Sequence, residues 1–306
     1  MVEERAPLGG PTVVGDLTLR PFSSLEDYEA CTDLQEEVWG RGFSEKVSAA
    51  ILMIANRIGG LAAGAFDKDG NLQGFVFGLT GPMDGILVHW SDMLAVREAG
   101  RDLGLGTRLK RYQRGVLLER GVVEMRWTFD PLQARNAHVN FSKLGIVCRE
   151  YVEDMYGETG SPLHRGVGTD RLVALWELES DRVRSKLASG GGVPPVSMGE
   201  GPGSGNGSRP PLVVPVLGGG PFPAPAAEIL GLEDPMLLLA VPGAVDEMMK
   251  NDLPLAVRWR EATRKAFQHY LSRGYEAREF IREETVSFYL LVGPGGDEGG
   301  SGREIP

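Results

Sequence analysis

Arg101-Asp102-Leu103-Gly104-Leu105-Gly106-Thr107 begins five residues after the strand-like run Asp92-Met93-Leu94-Ala95-Val96. A glycine-bearing loop hands over to a helix from about Leu105, with Leu105, Leu109, Tyr112 and Val116 on one face. The first amides of such a helix have no intrahelical partner and sit at the positive end of its dipole. Glycines at 104 and 106 carry no Cβ to hold a diphosphate away from those amides. Residues 97–120 hold seven Arg/Lys against three Asp/Glu in a chain of net charge −10. The chemistry expected here is phosphate binding. Just upstream, His89-Trp90-Ser91-Asp92 offers a proton acceptor at the end of a strand. His89 lies on a mostly apolar strand and reads as structural. Asp92 is either a general base or a solvated strand end.

The phosphate ligand is narrowed by what is missing. A dinucleotide fingerprint needs a third glycine, where this chain has Leu109, and a nucleotide-triphosphate loop needs Gly-Lys-Ser/Thr. Val96-x4-Arg101-x2-Gly104-x-Gly106 instead resembles the acyl-CoA pyrophosphate loop of the GNAT superfamily of N-acyltransferases. Asp130-Pro131 at the end of the fifth strand, Asn136 early in the next helix, and Lys143-Leu144-Gly145-Ile146 in place of Lys-Leu-Gly-Phe extend the resemblance over residues 16–180.

The resemblance implies an α/β (α+β) fold, with a GNAT-like mixed central sheet flanked by helices. It implies acetyl-CoA or another acyl-CoA as co-substrate, and no metal. Pantetheine would lie along the main chain of Met93, Leu94, Ala95 and Val96, whose side chains read as core. The amides of Arg101, Asp102, Leu103, Gly104, Leu105, Gly106 and Thr107 would take the pyrophosphate, with Asn136 a further cofactor contact. The implied activity is transfer of an acyl group, acetyl first, to a primary amine of a small molecule such as an amino acid, by direct attack on the thioester.

Two departures stand out. Phe141 occupies the place of the family's usual tyrosine acid, four residues before Gly145, and Asn136 lies nine residues before that glycine rather than eleven. Tyr151 and Tyr156 are the substitute acids, with His138 and Asn140 nearby. Transfer also proceeds without a dedicated acid if the thiolate (thiol pKa about 8.5) leaves unaided. In the loop from Tyr156 to Arg171, His164, Arg165 and Arg171 are candidate substrate ligands, since arginine binds a carboxylate through two parallel hydrogen bonds. They read equally well as surface charge. Rival functions are a noncatalytic acyl-CoA sensor, suggested by Phe141, and an interaction protein whose C-terminal part carries the function.

The elements that must position these residues follow from periodicity. Residues 1–15 read as a loose tail, 16–182 as the GNAT-like domain, 183–226 as a linker, 227–293 as a C-terminal subdomain and 294–306 as a flexible tail. Within 190–225, 20 residues are Gly or Pro, too few apolar groups to offset ordering, although Leu212–Leu217 could be a short strand. The first domain predicts helices at 25–39, 44–58, 105–120 and 133–144, and strands at 17–20, 61–66, 72–79, 86–96, 122–129, 146–155 and 172–178. In the C-terminal part, a strand at 236–241, helices at 244–250 and 255–272, and a hairpin at 275–291 echo the end of the first domain.

The 306 residues are 42% hydrophobic and acidic overall, which argues against a nucleic-acid partner. No apolar run approaches 18 residues, so no membrane span is expected. The opening Met-Val-Glu-Glu-Arg-Ala-Pro lacks the apolar stretch of a secretory signal. With Cys31 and Cys148 as its two cysteines, the chain reads as cytoplasmic, alone or as a homodimer.

Overall fold

The structure, a computed structural model, describes residues 9–101, 104–157, 166–189 and 209–296, the side chains of Ala99 and Arg101 excepted. It divides into two compact units, residues 1–127 with 176–180, and 128–175 with 181–306.

In the first unit, β1 (Thr12–Val14), β2 (Leu17–Pro21), β3 (Leu61–Phe66), β4 (Leu72–Met83), β5 (Ile86–Val96) and β6 (Glu124–Phe129) lie in sequence order. Pairing is antiparallel as far as β5, then parallel between β5 and β6. The period of two in the strands assigns alternate residues to opposite faces. Phe75, Phe77, Met93 and Ala95 pack with Tyr28, Leu34 and Leu52 of α1 (Leu25–Trp39) and α2 (Ala49–Arg57). Val76 and Val96 pack with Leu105, Leu109 and Val116 of α4 (Leu105–Glu119), which follows the short α3 (Glu98–Arg101).

Local chemistry sets the ends. Ser24 and Asp27 close a capping box at the start of α1. The second helix begins at Ala49, later than expected from Ser44, because both backbone groups of Val47 are held by the Gln35 amide, at 2.8 and 3.0 Å. Asp84 and Gly85, at φ 51° and 83°, make the two-residue turn that extends β4 to Met83 and joins it to β5. The tail is not loose throughout: Thr12–Val14 pairs with β2, and the Tyr112 hydroxyl donates to the Gly9 carbonyl.

The second unit contains α5 (Ala134–His138), a π-helical turn (Val139–Leu144), β7 (Val147–Val152), β8 (Arg171–Glu177) and α6 (Asp181–Ala188). After them come β9 (Val216–Leu217), β10 (Ala224–Pro225), β11 (Met236–Pro242), α7 (Val245–Asn251), α8 (Leu253–Ser272), β12 (Glu276–Ile281) and β13 (Val286–Val292). Its main strands run β8-β7-β12-β13-β11, all antiparallel. From β2 to β8 the chain follows the order β-α-α-β-β-β-α-β-α-β-β that the resemblance implies, with α3 added.

The linker boundaries need correcting at both ends. Residues 181–188 form a helix that buries Val183. Residues 209–226 are packed despite their prolines, because Leu212-Val213-Val214 supplies apolar anchors: Val213 and Val214 are buried and Leu212 bridges to Leu238. Trp259 Nε1 donates to the Pro223 carbonyl at 2.9 Å. Residues 190–208 lie outside the described residues.

Two stretches of the second unit repeat each other. Each follows a helical segment and starts at a glycine with positive φ, Gly145 at 78° and Gly274 at 83°. Ile-Val-Cys-Arg-Glu-Tyr-Val follows the first glycine, Tyr-Glu-Ala-Arg-Glu-Phe-Ile the second. Both hairpins slip register at the same offset, between Cys148 and Glu150 and between Ala277 and Glu279, so Arg149 and Arg278 are the bulged residues. Strands β7 and β12 pair with Cys148 opposite Ala277, which are equivalent positions of the two copies. A local two-fold therefore passes through this pair.

Candidate functional site

The parallel pairing of β5 and β6 stops early. It joins Val88 to Glu124, His89 to Met125 and Trp90 to Arg126, and among the described residues no further pair is formed although β5 runs on to Val96 and β6 to Phe129. At the same point the register of β5 against β4 slips: Ser91 faces Gly78 and Met93 faces Phe77, which leaves Asp92 as the bulged residue. A bulge re-aims its side chain and strengthens the local twist, so the two strands part where Asp92 is turned out. Past this apex, the edge of β5 that faces away from β4 has no strand partner from Asp92 to Ala95 among the described residues.

Asp92 is exposed, and no hydrogen bond or ion pair reaches its carboxylate among the described residues. The surrounding protein still raises its pKa above the usual carboxylate range by desolvation. Met93, Ala95 and Val96 bury their side chains in the core and Leu94 is half-buried, as expected of a strand whose contribution is its main chain.

The open edge leads to the N-terminus of α4. Gly104 is its N-cap at φ 71°, with no side-chain cap. A Cβ added there would meet no described atom within 4 Å. Gly106 differs: its Cβ would rest 3.5 Å from Leu94 Cδ2, against the strand. Arg101 ends α3, while Asp102 and Leu103 lie outside the described residues.

The basic residues of 97–120 are largely engaged in structure rather than gathered into an anion cradle. Arg97 bonds the Leu72 carbonyl and Glu37, Arg114 the Leu178 carbonyl, and Arg120 the carbonyls of Gly59 and Gly60. Arg108 is exposed on the first turn of α4. Lys110 is buried, and burial lowers its pKa to about 7. Its Nζ donates to Ser91 Oγ at 2.8 Å, Ser91 donates to Gln113 Oε1 at 3.1 Å, and Gln113 Nε2 lies 2.9 Å from His89 Nε2. Gln113 Nε2 can only donate, so His89 Nε2 accepts and Nδ1–H is directed at Thr80 Oγ1, 2.8 Å away. His89 is fully buried, and burial with nearby Lys110 and Arg120 lowers its pKa to about 3. It is a structural histidine.

The remaining candidates belong to the second unit. The Tyr151 hydroxyl donates to Asp170 at 2.5 Å and its ring stacks on Phe267. Burial and the Asp170 charge raise its pKa, so it is a poor acid, contrary to expectation. Tyr156 is exposed, with its hydroxyl 2.9 Å from Thr128 Oγ1. Asn136 is exposed on α5. Phe141 is fully buried against Phe129 and Tyr289. Arg171 is buried, placed over the Tyr156 ring and donating to the Asp170 carbonyl. His164 and Arg165 lie outside the described residues.

Sequence reasoning missed Arg260 and Arg264 of α8. Arg260 bonds Asp130 at 2.7 Å and the Val167 carbonyl at 3.1 Å, and Arg264 grips buried Asp170 with two bonds of 2.8 Å. Their signal was faint, because on a long amphipathic helix an arginine reads as surface. Among the described residues no group of three or more His, Cys, Asp or Glu could hold a metal ion, and no helix is long and apolar enough to cross a membrane.

No family model matches the chain, and no curated protein matches it. Among solved structures its fold is similar to those of acetyltransferases. The NatC complex bound to Gag peptide and CoA matches at 16% identity over 53% of this chain and 98% of that chain, with a TM-score of 0.42. The ribosomal-protein-S18-alanine N-acetyltransferase from Escherichia coli matches at 16% over 54% and 95%, TM-score 0.42. A GNAT-family acetyltransferase from Streptococcus pneumoniae matches at 14% over 52% and 97%, TM-score 0.41. The likeness is one of fold.

Proposed function

We propose that this protein is an acyl-CoA-dependent N-acyltransferase that acts on a primary amine. One observation carries the reading: among the described residues, a strand edge without a partner strand runs from a solvent-facing, unpartnered carboxylate at Asp92 toward a helix N-terminus whose N-cap, Gly104, offers no side-chain cap. From Ser91 to Ala95 the edge spans four residue steps, about 13 Å at the usual strand rise. A pantetheine arm fits such a length, with its amides paired to β5 and its diphosphate on the amides of Leu105 to Thr107. Arg108 on the same turn adds a free positive charge. Asp92 takes the proton from the acceptor ammonium, a task favoured by its raised pKa. The liberated amine attacks the thioester directly.

The acceptor we favour is a small molecule, with an amino acid as one candidate. The test is incubation with acetyl-CoA and longer acyl-CoA donors against amino acids, polyamines and peptides, while free thiol is followed. Thiol release that depends on one acceptor class supports the reading. A second reading, binding without turnover, is favoured by Phe141, whose buried ring offers no proton. Tight acyl-CoA binding by calorimetry with no thiol release from any acceptor would decide for it.

A further inference from the structure

Lys110 is a buried lysine without a counter-ion. It is 7% exposed, and no carboxylate pairs with it among the described residues. Its Nζ has Ser91 Oγ at 2.8 Å, Met125 Sδ at 3.8 Å and the Trp127 ring centroid at 3.9 Å. The first of these is on β5 and the other two are on β6, so the amine lies between the strands at the apex where their pairing ends. A buried charge is normally compensated by an ion pair and several hydrogen bonds. This one has a single hydroxyl, a weakly accepting sulfur and a ring face. Ser91 is itself fixed, since its own proton is committed to Gln113 and thence to His89 and Thr80.

We propose that Lys110 is the acid that protonates the leaving thiolate, with the reacting sulfur as the anion its ammonium lacks. The assignment rests on the acyltransferase reading above and fills the place that Phe141 leaves vacant. The C–N bond forms as the C–S bond breaks, the new amide nitrogen gives up its remaining proton to solvent, sulfur departs with the electron pair, and Lys110 supplies one proton to it. The neutral amine regains a proton from solvent after product leaves. His89 from β5 and Arg120 of α4 are the titratable or charged groups that bear on this chain of side chains; His89 stays neutral and Arg120 is bonded to the carbonyls of Gly59 and Gly60. An amine of pKa about 7 is matched to giving up a proton near neutral pH.

The test uses the full chain and Lys110→Met, which removes the amine from a buried site at similar length, with Lys110→Gln as a second variant and thermal melts to verify folding. The first readout is binding alone: CoA is bound and its thiol is titrated by thiolate absorbance. The wild type should lower the thiol pKa by a unit or more from its usual value near 8.5, and both variants should restore it. The second is the pH profile of turnover. The wild type should lose rate as pH rises above about 7, while Lys110→Met loses about 10²-fold at neutral pH, the low end for one acid–base group, along with that alkaline limb. A folded Lys110→Met with the wild-type thiol titration and pH profile overturns the assignment and leaves the acyltransferase reading standing. A wild type that binds no CoA overturns both.

Discussion

Gly104 and Gly106 make a paired test in which stability and binding separate. At Gly104, alanine must adopt φ 71°, and the left-handed region costs a residue with a Cβ about 1–2 kcal/mol. At about 2–4 °C per kcal/mol for a domain of this order of size, Gly104→Ala should melt roughly 2–8 °C lower. Its Cβ meets no protein atom within 4 Å, so no clash adds to the cost. If the diphosphate sits on the amides of α4 beside Gly104, the methyl should block one or two charge-assisted hydrogen bonds, each about 1.5–3 kcal/mol. Diphosphate affinity should then fall at least tenfold, since 1.4 kcal/mol is about a factor of ten. Gly106→Ala should do the opposite. Its Cβ makes ordinary contact with Leu94 at 3.5 Å, and alanine in a helix is worth up to about 1 kcal/mol over glycine. That variant should melt slightly higher and bind CoA as the wild type does. Calorimetry with CoA and thermal melts on both proteins read out all four quantities. Intact CoA affinity in a folded Gly104→Ala would refute the placement of the diphosphate. So would lost affinity in Gly106→Ala.

Three further outcomes follow from the described geometry. Asp92→Asn should lower turnover about 10²–10⁴-fold with CoA affinity unchanged. Because the folded state holds this proton more tightly than the unfolded chain, ionisation costs stability above the folded pKa and nothing below the unfolded one; melts should show the variant more stable at neutral pH, with the advantage vanishing in acid. Arg264→Met strips the two guanidinium bonds from fully buried Asp170 and should destabilise by about 3 kcal/mol in urea melts, a loss near zero marking the pair as dispensable. Burial pushes the Cys31 thiol up to about 12 and Cys148 well above its ordinary value, so a thiol reagent should label neither in the native protein and both after unfolding.

Elements with strong local signals were legible from sequence. The bounds of β5 and α1 agree with their periodicity and caps, and Gly104 was singled out by its place between a strand and a helix. The parting of β5 from β6 was not legible from the residues alone, because it depends on a bulge that leaves no mark in the pattern of side chains. Lys110 was counted as one more positive charge near a phosphate loop. Its real place follows from phase: Lys110 and Gln113 are three residues apart beside the apolar stripe of α4, opposite His89 and Ser91, two apart on one face of β5. Only the docking of helix on sheet brings those two periodicities into register. Tyr151 failed as an acid for a similar reason, since Asp170 and Arg264 come from distant parts of the chain.

The facing of Cys148 and Ala277 bears on which strand edges this chain leaves open. An open strand edge invites pairing with another chain, and β7 would be such an edge. Here it is capped by β12, a strand whose Arg-Glu-Phe-Ile restates the Arg-Glu-Tyr-Val of β7 and which carries the same bulge. The C-terminal part thus acts as a tethered stand-in for a second molecule. A chain ending before residue 227 should expose β7, and antiparallel self-pairing about Cys148 is the association expected of that edge.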